Sequence, residues 1–134
     1  MQLEPYIFFY GRCEEALEFY KKAIGGTYEA SRFEGSPMAD HVPADFKNKI
    51  MHATFKGQGF EFMAADGQPG KTVKPDEGNI SLSLATSDEA EGQRVFAALA
   101  EGGKVDMALA DAFWGGKFGQ VTDKFGTEWM ISIH

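Results

Sequence analysis

A single cysteine in 134 residues leaves no intrachain disulfide to staple a fold or mark an oxidising compartment. Basic residues are also scarce: 13 Lys and Arg face 20 Asp and Glu, a formal charge of −7. A nucleic-acid surface needs the opposite balance, because its cations must neutralise phosphates. A neutral or cationic small ligand remains compatible with the excess of acid. Long hydrophobic runs are missing too. The stretch Pro5–Tyr10 is far too short to span a bilayer, and the N-terminus carries acids where a secretory leader wants bases. These absences predict a soluble, cytoplasmic domain with no nucleic-acid or membrane partner. What is present is globular, with 43% hydrophobic, 13% aromatic and 25% charged residues.

Two segments carry apolar residues at spacings of three and four. In Cys13–Ile24 the stripe is Ala16, Leu17, Tyr20, Ala23 and Ile24, with Glu14 and Glu15 in the opening turn and Gly25–Gly26 as a stop. In Glu89–Ala100 it is Val95, Phe96, Leu99 and Ala100. There Asp88 and Glu91 fit a capping box, and Gly102–Gly103 follow. Both segments are expected to be helices.

A strand is expected before each helix, at Pro5–Tyr10 and at Ile80–Leu84, the latter alternating Ile-Ser-Leu-Ser-Leu. Three more are expected after each: Thr27–Phe33, Lys49–Lys56 and Gly59–Ala65 in the first half, then Lys104–Leu109, Lys117–Thr122 and Glu128–Ile133. Both halves, approximately 1–66 and 78–134, therefore read β-α-β-β-β in a single α+β domain. A four-stranded sheet with one helix has one bare face, which predicts curved sheets around a cleft. The runner-up, a ferredoxin-like β-α-β-β-α-β arrangement, leaves a late stretch in each half unexplained.

Several stretches are similar to one family. They are Pro5-Tyr-Ile-Phe-Phe-Tyr-Gly11, Glu14-Glu-Ala-Leu-Glu-Phe-Tyr20, Pro43-Ala-Asp-Phe-Lys47, Ile50-Met-His52, Gly78-Asn-Ile-Ser-Leu-Ser-Leu84, Phe113-Trp-Gly-Gly-Lys-Phe-Gly119 and Asp123-Lys-Phe-Gly-Thr-Glu-Trp129. Together they resemble the PhnB-like subfamily of the vicinal oxygen chelate superfamily, which comprises glyoxalases, bleomycin-resistance proteins and dioxygenases. The resemblance implies paired βαβββ modules, a homodimer, and in the enzymes a divalent metal held by one residue from each of four strands. Carried over, those four places fall on or near Pro5, on Glu61 or Met63, on Asn79 and on Met130. Proline and thioether do not replace imidazole and carboxylate, so no cofactor is expected. A rebuilt divalent site would draw on His52, Glu61 and Asn79. Some relatives carry a demethylubiquinone methyltransferase label, but no glycine-rich strand-to-helix turn supports a nucleotide cofactor here.

Alternation supplies a candidate lining for the cleft: Ile7, Phe9, His52, Glu61, Met63, Asn79, Ser81, Met130 and Ser132, with Trp114 as a lid or dimer anchor beside Gly115–Gly116. The lining is largely apolar with a few hydrogen-bonding groups, which suits a planar small molecule. Two functions follow. One is a small-molecule-binding protein without the usual four-ligand metal site. The other is a metal-dependent enzyme of the glyoxalase or dioxygenase kind with an altered ligand set. The stretch Ala65–Thr72 imitates a phosphate loop, but Pro75 and Gly78 forbid the helix that such a loop requires.

Overall fold

Helix α1 (Cys13–Ile24) and helix α2 (Glu89–Ala100) cover the two striped segments in the computed structural model, which describes residues 1–74 and 77–134. The breaker Pro75 lies outside the described residues. The chain divides into two compact units, Met1–Val73 and Lys74–His134.

The first unit runs β1 (Tyr6–Phe8), α1, β2 (Thr27–Arg32), β3 (Ile50–Gly57) and β4 (Phe60–Ala65). Its sheet has the order β1-β4-β3-β2, with β1 parallel to β4 and the other pairs antiparallel. One face carries Ala53, Phe55, Phe62 and Ala64, all buried, and receives Ala16, Leu17, Tyr20 and Ala23 of α1. The Phe55 and Phe62 rings stack at 4.9 Å, and Tyr20 meets Phe62 edge-on at 6.1 Å. Each such fully buried large side chain contributes roughly 1.5–3 kcal/mol. The loop between β2 and β3 makes two single-turn 3₁₀ helices, and Phe46 from the second packs its ring 5.5 Å from that of Phe33.

The second unit repeats the plan: β5 (Leu82–Thr86), α2, β6 (Lys104–Asp111), β7 (Lys117–Thr122) and β8 (Glu128–Ile133), ordered β5-β8-β7-β6 with β5 parallel to β8. Trp129, Ile131, Ile133 and Val121 are buried on one face with Val95 and Leu99 of α2. The helix lies close there, since a Cβ on Gly92 would sit 2.5 Å from Ile133 Cγ1. The β-α-β-β-β plan holds in both halves, and the ferredoxin-like alternative does not. No helix among the described residues is long and apolar enough to cross a membrane.

Two buried carboxylates hold turns in place. Asp66 accepts the backbone N–H groups of Gly11 and Cys13 on Oδ1 (2.9 and 2.7 Å) and that of Ile50 on Oδ2 (2.6 Å). It thereby closes the N-terminus of α1, whose own N-cap residue, Arg12, makes no side-chain cap. Asp123 accepts from Phe125 N and Thr127 N on Oδ1 and from Trp129 Nε1 on Oδ2, at 2.8–3.0 Å. The Asp123–Trp129 stretch is thus a turn tied to the core by its own first and last residues.

Two strand expectations need correction. β5 begins at Leu82, and Ile80 is 77% exposed, so Asn79, Ile80 and Ser81 precede the strand. The alternation continues through Ala85 and Thr86, and pairing of Leu82–Thr86 with Trp129–Ile133 fixes where it starts to matter. In β1 the face is reversed. Phe9 is 3% exposed, with its ring 5.9 Å from that of Tyr20, while Tyr6 and Phe8 are 40% and 45% exposed.

Candidate functional site

The bare face of the first sheet is built by register. Glu29 lies opposite Thr54, Thr54 opposite Met63, and Met63 opposite Tyr6, so these four side chains share the face that α1 does not cover. Ser31 lies opposite His52 one pair further on, and Lys56 opposite Glu61 in the other direction. Phe8 follows Tyr6 on the same side. Aromatic rings dominate one end of this face. Tyr6 stacks on Phe8 at 5.1 Å, and Phe8 stacks on Tyr10 at 6.0 Å. Gly67 allows the chain to pass close by: a Cβ there would meet Tyr10 Cε1 at 2.8 Å and Phe8 Cδ1 at 3.1 Å, and its φ is +71°.

One polar pair borders the rings. Tyr6 Oη lies 3.1 Å from His52 Nδ1, with the rings tilted by 55° at 5.7 Å between centroids. Partial burial, with a smaller contribution from Cys13, raises the Tyr6 phenol above its ordinary pKa. Cys13 itself is fully buried at the first position of α1. Desolvation first, then Asp66 and Glu14, push its thiol well up, so it is an inert packing group rather than a nucleophile.

Of the residues expected to line a site in this unit, His52, Glu61 and Met63 lie on the bare face. Ile7 does not: it lies opposite the buried Ala64 on the helix side, as Phe9 does. Tyr6, Phe8, Tyr10 and Thr54 take their place. A continuous aromatic run carries no period-two signal, so β1 alone cannot show which residues face α1.

The second sheet has a bare face of its own. Ser83 lies opposite Met130 and Ala85 opposite Ser132, while Gln120 and Phe118 lie opposite Met130 and Ser132 on β7. Trp114 sits in the β6–β7 turn, 61% exposed, edge-on to Phe113 at 4.8 Å and to Phe118 at 5.6 Å. Asn79 and Ser81 are exposed ahead of β5.

Two hollows of about 440 Å³ lie elsewhere, one in each unit. The first, beside the N-terminus of α1, is lined by Arg12, Arg32, Glu14, Glu15 and Lys49. Arg12 pairs with Glu15, Arg32 with Glu14, and Lys49 donates to Gly11 O at 2.8 Å. The second holds the Lys117–Glu89 ion pair at 2.7 Å. The arginines and lysines lining them are engaged within the protein.

Within the first unit, His52 and Glu61 do not fit a shared divalent metal. Glu61 lies opposite Lys56, four residues along β3 from His52, which is about 13 Å of strand. One ion with bonds near ~2 Å cannot reach both. Among the described residues no three His, Cys, Asp or Glu side chains are grouped to hold a metal ion. His52 and Glu61 therefore do not share one ion and act separately.

This architecture is the fold of the glyoxalase/bleomycin resistance protein/dioxygenase superfamily. A member from Sphaerobacter thermophilus superposes with a TM-score of 0.60 at 16% identity, covering 100% of this chain and 98% of that one. Within that fold, the chain belongs to the PhnB-like family whose model, described as 3-demethylubiquinone-9 3-methyltransferase, matches residues 1–132. It is 34% identical to protein YjdN of Escherichia coli K12 over 99% of this chain and 95% of that one. The crystal structure of PA1353 from Pseudomonas aeruginosa matches with 43% identity and a TM-score of 0.85, covering 100% and 98% of the two chains. A structure titled as a putative 3-demethylubiquinone-9 3-methyltransferase, PhnB protein, from Bacillus cereus matches at 28% identity with a TM-score of 0.80 over the full length of both.

Proposed function

We propose that this protein binds a planar, neutral or cationic small molecule on the bare face of its first sheet, without a four-ligand metal site, and acts as a homodimer in the cytoplasm. The observation that carries the reading is the stack of Tyr6, Phe8 and Tyr10, two of whose rings are 40% and 45% exposed beside a hydrogen-bonded Tyr–His pair. Large rings left bare in register, with a polar group at one edge, are how small-molecule surfaces are built. Glu29 and Glu61 outnumber Lys56 on the same face, which favours a neutral or positive occupant.

Binding is preferred here over the methyl transfer named by the family description. The strand-to-helix turns hold no run of glycines. The first turn of each helix is already closed by a carboxylate of the chain, Asp66 for α1 and Asp88 for α2. Binding is also preferred over metal-dependent catalysis, because His52 and Glu61 are too far apart to share one ion.

Naphthalene, a planar hydrocarbon, tests the platform by saturation-transfer difference NMR. Saturable binding is expected, weakened at least tenfold (about 1.4 kcal/mol) by Phe8→Ala, a change at an exposed position that leaves the core intact. Naphthalene binding that is absent, or indifferent to Phe8→Ala, refutes the reading.

A further inference from the structure

We infer that His52 selects the ligand: it presents a fixed Nε2–H donor at the edge of the Phe8 platform, so the molecule bound there carries a hydrogen-bond acceptor, such as a ring carbonyl, at its rim. This rests on the binding reading above and narrows it to a ligand class.

The imidazole tautomer decides which nitrogen carries the donor. At 3.1 Å the Tyr6–His52 contact is satisfied either by the phenol donating to a bare Nδ1 or by Nδ1–H donating to the phenol oxygen. A phenol oxygen shares a lone pair with its ring and accepts poorly, whereas a bare imidazole nitrogen accepts well. The phenol therefore donates. A neutral imidazole has one N–H, which is then on Nε2. Among the described residues Nε2 has no hydrogen-bond partner, and His52 is exposed on the bare face.

The position matters as much as the proton. Tyr6 is simultaneously stacked on Phe8, so its hydroxyl ties the orientation of the imidazole to that of the platform. A flat molecule resting on Phe8 brings its edge to the imidazole. An acceptor there is matched, while a plain hydrocarbon edge strips water from the N–H and returns nothing.

Coumarin and naphthalene, fused bicycles of similar outline, differ in that coumarin carries a lactone carbonyl. Affinities are measured for wild type, His52→Ala, Tyr6→Phe and Phe8→Ala at a pH above the range in which imidazoles titrate. The ring tautomer is read in the ligand-free wild type from histidine ¹⁵N shifts. Wild type is expected to favour coumarin about tenfold, with Nδ1 bare and Nε2 protonated. His52→Ala abolishes the preference, and Tyr6→Phe reduces it. A proton on Nδ1, or equal affinity for the two probes, overturns the role of His52 even where Phe8→Ala still weakens naphthalene. Failure of both probes to bind overturns the platform and this inference with it.

Discussion

Asp66 gives the sharpest test of how the first unit is held together. Its carboxylate receives three backbone N–H groups from two separate chain segments and is 1% exposed. Hydrogen bonds to a charged acceptor contribute about 1.5–3 kcal/mol each, though three sharing one carboxylate do not add fully. Asp66→Ala strands the Cys13 and Ile50 donors in buried surroundings and removes an anion from a helix N-terminus, for a loss of about 3–5 kcal/mol. Asp66→Asn retains Oδ1 for Gly11 and Cys13 but turns an amide N–H₂ toward the Ile50 N–H, and loses about 2 kcal/mol. The control is Asp88→Ala, which removes a local exposed cap at the start of α2 (Glu91 N to Asp88 Oδ1, 3.1 Å) and costs about 1 kcal/mol. In urea unfolding followed by circular dichroism, a slope of about 1.5–2 kcal/mol/M converts these losses to midpoint shifts of about 1.5–3.3 M for Asp66→Ala and under ~1 M for Asp88→Ala. Hydrogen exchange at the Cys13 and Ile50 amides localises the effect. Equal shifts for the two alanine variants refute the reasoning.

Two further outcomes are expected. Gly25 and Gly26 both have positive φ, +75° and +112°, but a Cβ on Gly26 would also lie 2.6 Å from Lys56 O, whereas one on Gly25 meets nothing within 4 Å. Thermal melts should show Gly26→Ala losing about 3–5 kcal/mol against about 1–3 for Gly25→Ala, and equal losses would remove the steric argument. Tyr28 donates its hydroxyl to Glu18, and that bond, followed by burial, pushes the phenol up to about 12. A raised phenol pKa contributes stability that is fully present below the unfolded value near ~10 and is lost as pH rises through the folded one. Phenolate absorbance should show one tyrosine titrating late, returning toward the ordinary range in Glu18→Gln; no change in that variant would reassign the shift to burial.

Helices were the most legible part of the chain. Cys13–Ile24 and Glu89–Ala100 begin and end where the stripes and the double glycines place them, because each signal is local. Strands β7 and β8 were equally plain. β5 was misplaced by two residues because alternation fixes a face without fixing an end, and the end depends on the partner strand. The site suffered most. In Pro5–Tyr10 every side chain is apolar or aromatic past the proline, so the choice between Ile7–Phe9 and Tyr6–Phe8 needed the Tyr6–Met63 register, which no local pattern encodes. Asp66 was invisible for the same reason, since it is distant in sequence from the amides it holds. His52 was readable as a residue of the bare face, but its hydroxyl partner was not.

That distance has a temporal consequence. Cys13 and Asp66 are separated by 53 positions, so a chain emerging from the ribosome carries α1 with an unshut end until almost all of the first unit has been made. The latch arrives directly behind the last strand of the sheet, and the same carboxylate that shuts the helix also pins Ile50 at the start of β3. The helix cap therefore arrives with the end of the sheet, and a nascent chain halted short of residue 66 lacks it.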